Sequence, residues 1–188
     1  MSAPETAPVP GKLPGLRLES SASDIVEIAA LRGRAADLAR IALGRGVQLP
    51  ALGRAVIVTE HLALCVRPER WLILTPPASG AASANGWRAA CAGVGAAVDL
   101  SSGLRVLELS GHAVREVLVR SCRIDLDAAA FPPGAACATI MAQVPVILVA
   151  LPSGMLLLSA ASTAQHVHEW LHSTAQPFGQ LSSFGSPS

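Results

Sequence analysis

The sequence predicts an α+β fold built from two similar halves, each running β-α-β-β-β-α. Three observations carry this. Short β-like apolar runs alternate with segments whose apolar residues recur at helical spacing. The same order of elements occurs twice. Matched residues recur roughly 80 positions apart in the same order, the mark of an internal repeat.

The first half, 23–95, opens with a β-like run at Ile25–Ala30. A helix is expected over Arg34–Leu43, where Leu38, Ile41 and Ala42 share a face. Strands are expected at Arg54–Thr59, His61–Val66 and Trp71–Thr75, the last two joined by a turn containing Pro68. A helix over Asn85–Ala92 closes the unit. The second half, 98–173, opens with Leu104–Leu109, in which Val106, Glu108 and Ser110 alternate with Leu107 and Leu109. Ser110-Gly111 leads into a helix reaching Val119, with Val114, Val117 and Leu118 inward. A long loop through Phe131-Pro132-Pro133-Gly134 follows. Strands at Ala136–Gln143, Val146–Leu151 and Met155–Ala160 and a helix over Ser162–His172 complete it.

The repeat pairs Leu31-x-Gly33-x-Ala35 with Leu109-x-Gly111-x-Ala113, and Val47-x-Leu49-x-Ala51 with Ile124-x-Leu126-x-Ala128. It also pairs Trp71–Thr75 with Met155–Ser159, and Trp87 with Trp170. Each half is expected to form a small mixed sheet with helices on one face. One half alone, about 75 residues, would be marginal, and pairing buries the bare faces. Residues 1–22 and 174–188 are rich in Pro, Ala, Ser and Gly and read as disordered tails around a single domain, 23–173.

Composition narrows the function classes. The chain has 188 residues, 51 % of them hydrophobic and only 14 % charged, with a net charge of +1. A broad basic face for nucleic acid is not expected. Aromatics are 3 % and Tyr is absent, which argues against a stacking platform. So little charge fits either a GC-rich coding bias, since there are many Arg and the lone Lys12, or a permanent subunit interface. The most apolar stretch, Val144–Ala161, is broken by Pro145, Pro152 and Ser153-Gly154, so no membrane span is expected. The N-terminus lacks a basic and an apolar signal region. Cys65, Cys91, Cys122 and Cys137 match no metal-binding spacing and read as reduced, buried thiols of a cytoplasmic protein.

Chemistry-bearing motifs are sparse. His168 and His172 lie four apart on the last helix, a spacing that more often marks a solvated face than a metal site. No Gly-x-Ser-x-Gly elbow, dinucleotide fingerprint or phosphate loop is present. Asp99 reads as a turn residue, and Asp125 and Asp127 as a short edge strand or capped loop. Arg105, Arg115, Arg120 and Arg123 could meet phosphate or carboxylate, although such residues more often form surface or interface ion pairs. No catalytic, cofactor-binding or metal-binding residue is assigned to this chain.

Asp99-Leu100-Ser101, Leu109-Ser110-Gly111, Ile124-Asp125-Leu126, Phe131-Pro132-Pro133-Gly134, Thr139 and Trp170-Leu171 form an ordered set. With this set the chain resembles the gamma subunit family of heterotetrameric sarcosine oxidases, over residues 23–172 and more specifically in the second half. That family is similar to the folate-binding domain of the glycine-cleavage T-protein. The resemblance implies two ferredoxin-like halves and a non-catalytic, structural role. It implies alpha, beta and delta partner subunits that hold FAD, FMN, NAD, tetrahydrofolate and zinc. It implies a complex that demethylates sarcosine to glycine, with hydrogen peroxide and 5,10-methylenetetrahydrofolate as further products. Two alternatives remain: a free-standing folate-binding one-carbon module, and the equivalent subunit of an N-methylglutamate-type dehydrogenase. The Asn-Asp pair of the T-protein stands here as Ile124-Asp125, which speaks against independent folate chemistry. Phe131, a large apolar residue on a Pro-stiffened loop, is the candidate interface residue.

Overall fold

The computed structural model describes residues 15–58, 61–77, 80–178 and 181–183. Eleven strands and four α-helices are found among them. They are β1 (Leu16–Ser21), β2 (Asp24–Ala30), α1 (Ala35–Gly44), β3 (Arg54–Val58), β4 (His61–Arg67), β5 (Arg70–Thr75), α2 (Gly80–Ala90) and β6 (Gly95–Asp99). Then come β7 (Leu104–Ser110), α3 (Val114–Ser121), β8 (Ala136–Met141), β9 (Val144–Leu151), β10 (Gly154–Ala160), α4 (Ala164–Ala175) and β11 (Leu181–Ser183).

The first sheet has the order β3-β4-β5-β2-β6 and the second β11-β1-β7-β10-β9-β8. The duplication is therefore structural: β2, β3, β4 and β5 occupy the same places as β7, β8, β9 and β10. Three cores separate four layers. Leu38 and Ala42 of α1 and Trp87 of α2 pack on Val26, Ile28 and Ile73 of the first sheet. Val117 and Leu118 of α3 and Val167 and Leu171 of α4 pack on Leu107, Leu109, Leu148 and Leu157 of the second. Between the sheets lie Ile25, Leu64, Leu72 and Leu74 from one side and Val106, Val149, Leu156 and Leu158 from the other. This explains the unbroken apolar run of β10. Leu157 faces the helices while Leu156 and Leu158 face the opposite sheet, so both faces are covered.

The sheets also join at their edges. Ala55 N–H donates to the Gly134 carbonyl at 2.8 Å, and Ala136 N–H to the Gly53 carbonyl at 2.9 Å. The two bonds are reciprocal, Gly53 and Ala55 standing to β3 as Gly134 and Ala136 stand to β8. Both glycines have φ near +80°, at 77° and 81°, where a side chain is strained.

Several sequence expectations are corrected. Leu16–Ser21 is not a tail but a strand antiparallel to β7, and it buries Leu16 and Leu18. It fills the place in the second sheet that β6 fills in the first. The division at 95/98 cuts through β6, which pairs wholly with β2. This strand is short and Ala-rich, and only Ala97 is buried, so its pattern is faint. The first sheet is entirely antiparallel rather than mixed; the second is mixed only through β1 and β11. Helix α2 begins at Gly80, ahead of Asn85, and α4 runs on to Ala175, inside the expected tail. β11 lies in that tail as well, while residues 1–14 and 184–188 and the strand end at Thr59 fall outside the described residues.

The repeat registers hold in part. Arg70 follows the two-residue turn between β4 and β5 as Gly154 follows that between β9 and β10, so the next residues, Trp71 and Met155, correspond as expected; they pair with Ile28 and Leu109. The same registers match Leu109 to Ile28 and not to Leu31, which is 52 % exposed where Leu109 is buried. The turn after β2 is longer than the turn after β7, and this shifts the alignment. Gly33 and Gly111 both take positive φ in those turns. Trp87 is buried beneath Arg45, whereas Trp170 is exposed.

Candidate functional site

The motif residues turn out to build loops and joints. Asp99 accepts from the Ser101 amide at 2.9 Å and from the Ser101 hydroxyl at 2.6 Å. Ser101 Oγ in turn accepts from Ile25 N–H at 3.0 Å. Leu100 N–H donates to the Ile25 carbonyl, so this turn clamps β2 at the crossing from the first half to the second. The hydroxyl bond from Ser101, then its amide bond, holds the Asp99 carboxyl below the usual carboxylate range.

Asp125 and Asp127 are not an edge strand. Each is exposed and accepts a backbone amide two residues on, at 2.9 and 2.8 Å, so both carboxylates close Asx turns. The loop they stiffen is held from below by Arg115, whose guanidinium donates to the Leu126 and Phe131 carbonyls. Phe131 itself is 7 % exposed and lies in the helix-side core of the second sheet. Its ring is spent on this chain's own core, and the part of the loop that faces outward is Pro133.

The four arginines do not converge. Arg105 bonds the carbonyls of Ser102 and Leu104, Arg115 braces the loop, Arg120 lies 4.7 Å over the Phe178 ring, and Arg123 is exposed. The histidines are spread as well; His166 Nε2 lies 3.0 Å from the Ala142 carbonyl. Among the described residues no three His, Cys, Asp or Glu side chains gather as metal ligands. No described helix is long and apolar enough to cross a membrane. The four cysteines are free thiols, and burial raises the pKa of Cys65, Cys91 and Cys122 above that of an ordinary thiol.

The surface carries more information than the titratable groups. Ile57, Leu52, Val119 and Ile140 are each more than half exposed. Where the sheets diverge, a recess of about 320 Å³ lies among Ser21, His61, Thr75, Glu108, Leu151 and Leu156. A second, of about 260 Å³, shares Ile57, Leu62 and Leu151 with it and continues to Pro133 and Pro152. The two recesses adjoin at these apolar residues, while the first is also lined by Ser21, His61 and Thr75. Periodicity could not have shown this cleft, because its walls come from both halves. The available signal was the shared pattern of Ile25-x-Glu27 and Val106-x-Glu108, a glutamate at one place in both copies.

Comparison with known proteins agrees with this build. Residues 32–176 match the family described as "Sarcosine oxidase, gamma subunit family". A sarcosine oxidase subunit gamma from Arthrobacter sp. is 39 % identical over 114 residues, 58 % of this chain and 55 % of that protein. The subunit gamma from Corynebacterium sp. (strain P-1) is 40 % identical over 78 residues, 41 % of this chain and 38 % of that one. The matched stretch thus spans about half or less of these curated relatives. Among solved structures, a chain of the heterotetrameric sarcosine oxidase from Corynebacterium sp. U-96 aligns with a TM-score of 0.78 and 27 % identity. That alignment covers 88 % of this chain and 86 % of that one. The glycine cleavage system aminomethyltransferase T from Bartonella henselae shares the fold, with a TM-score of 0.65 at 11 % identity over 92 % of this chain and 48 % of that one. Motif set, duplicated four-layer fold and family match converge: this chain belongs to the sarcosine oxidase gamma subunit family.

Proposed function

We propose that the chain is a structural subunit of a sarcosine-oxidising heterotetramer in the cytoplasm, packed against larger subunits that carry the chemistry. The observation that carries this reading is the family match over residues 32–176, together with the alignment to a chain of a heterotetrameric sarcosine oxidase. The apolar recess around Ile57, Leu62 and Leu151 supports it, since partner contacts centre on such apolar surface. The local use of Asp99, Asp125 and Asp127 supports a non-catalytic role, because each carboxylate is engaged by groups two residues along its own chain.

In this reading the alpha, beta and delta partners hold FAD, FMN, NAD, tetrahydrofolate and zinc. The assembly demethylates sarcosine to glycine, with hydrogen peroxide and 5,10-methylenetetrahydrofolate formed elsewhere in the complex. This chain supplies rigid surface and a stable docking geometry.

The test is purification from the native source through a tag on this chain. The expected result is co-elution with larger flavin-bearing chains and sarcosine-dependent oxygen uptake by the eluate. Recovery of the chain alone, as a stable monomer that itself binds folate or flavin stoichiometrically, overturns the reading.

A further inference from the structure

The duplicated fold lets each half serve as a reference for the other. In the first sheet Glu27 is paired with Leu72, and in the second Glu108 is paired with Leu156. Leu72 and Leu156 both lie in the core between the sheets, so the two glutamates occupy equivalent places beside it. The same registers place Arg67 opposite Arg70 where β4 meets β5, and Leu151 opposite Gly154 where β9 meets β10. Leu151 is therefore the counterpart of Arg67, and Gly154 the counterpart of Arg70.

The consequences differ sharply. Glu27 is held by Arg70 at 2.9 Å and Arg67 at 3.2 Å, and its side chain is only 12 % exposed. Glu108 has no cationic partner among the described residues and is exposed. The second half has no room for one at the Arg70 place, because a Cβ on Gly154 would run into the Leu109 carbonyl. On the other flank Glu27 faces Val98, whereas Glu108 faces Glu19, whose own cation is Arg17. Opposed like charges are unfavourable across a strand pair. The first corner thus supplies its own cations, and the second leaves a carboxylate in surplus at the mouth of the apolar cleft.

We propose that this cleft is the docking groove for an extended apolar segment of a partner subunit that brings a lysine or arginine to Glu108. The inference rests on the subunit reading above and adds the place and chemistry of one contact. The two recesses adjoin at Ile57, Leu62 and Leu151 and run from Glu108 to Pro133 and Pro152, so a segment in extended conformation would contact both. The shared apolar residues provide burial, and Glu108 at one end provides register, since charge complementarity selects partner and orientation. The partner's cation takes the role that Arg67 and Arg70 take within the first half.

The experiment uses the complex purified through a tag on this chain, with Ile57→Lys and Glu108→Lys introduced separately. Both residues are exposed, so each free chain should keep its melting temperature and monodispersity. Ile57→Lys is expected to reduce retained partner at least about tenfold. Glu108→Lys is expected to reduce it at low salt, with the loss shrinking as salt is raised. Backbone hydrogen exchange of the wild-type complex should show new protection over the edge strand 54–58, which walls the groove. If folded variants retain partners as the wild type does, or 54–58 gains no protection in the complex, the groove assignment is overturned while the subunit reading stands. If the wild-type chain retrieves no sarcosine-oxidising partner, the subunit reading fails and the groove falls with it. A self-dimer of the free chain abolished by Ile57→Lys would reassign the groove to a second copy and overturn the proposal.

Discussion

In the first half Glu27 lies under two arginines, while in the second half its counterpart Glu108 is left to solvent beside apolar walls. The order of the first five strands from the joined edge and the reciprocal Gly53–Gly134 joint are shared by both halves, although β4 carries a bulge between Leu64 and Arg67 that β9 lacks. What differs is a handful of side chains at equivalent corners. Backbone duplication therefore sets the scaffold, and divergence at its rim sets which side is finished by the chain itself and which by a partner. The halves differ in closure too. The first sheet takes β6 from its own half, but the second borrows β1 from the opposite end of the chain.

Putting an arginine at the place of Gly154 is the most severe change. Gly154→Arg should destabilise the free chain by more than about 3 kcal/mol, since the side chain must displace the Leu109 backbone. Chemical denaturation measures this, and a near-neutral result would refute the packing argument. Next comes Phe131→Ala. A buried phenylalanine in a packed core costs about 3–5 kcal/mol on truncation. The melting temperature of the free chain should fall accordingly. Weakened assembly with unchanged stability would instead make Phe131 a contact residue.

Smaller effects sharpen the contrast between the glutamates. Glu27→Gln should cost no more than about 1 kcal/mol, because its arginine partners are more than half exposed. Glu108→Gln should be neutral or slightly stabilising, because it removes a charge opposite Glu19. Equal losses in paired urea titrations would erase the distinction drawn here.

The smallest effect concerns pH. The carboxyl of Asp99 has its pKa lowered by the Ser101 hydroxyl bond and then by the Ser101 amide. Its contribution is full above the unfolded value of about 3.9 and is lost as pH falls through the lower folded value. Acid titrations of wild type and Asp99→Asn should converge below about pH 4 and separate above it. A difference that persisted unchanged into acid would assign the effect to something other than ionisation.

Much of the fold was legible because its elements are amphipathic in the ordinary way. Helical spacing puts Leu38, Ile41 and Ala42 on one face and Val114, Val117 and Leu118 on another, and all are buried except Ile41, which is half-buried. The β-α-β-β-β-α order of both halves follows from such patterns. β1 was readable in principle, since Leu16 and Leu18 alternate with Arg17 and Glu19, but a Pro-rich context disguised it. β6 carried almost no signal, because alanine and glycine fit a strand without announcing it.

The class of fold, its duplication, its family and the turn at Asp99 are legible in the amino-acid sequence, whereas Asp125 and Asp127 fit an edge strand as well as a loop until the structure shows the loop. The legible features depend on short-range periodicity, on ordered motifs, and on a side chain that bonds groups two residues away. Tertiary structure alone decided that β1 completes the second sheet and that Phe131 belongs to the core. It also decided that Leu151 and Gly154 stand where Arg67 and Arg70 stand in the other half. The physical reason is that such equivalences are set by strand register and sheet packing. Both bring together residues far apart in the chain, and neither leaves a trace in local composition.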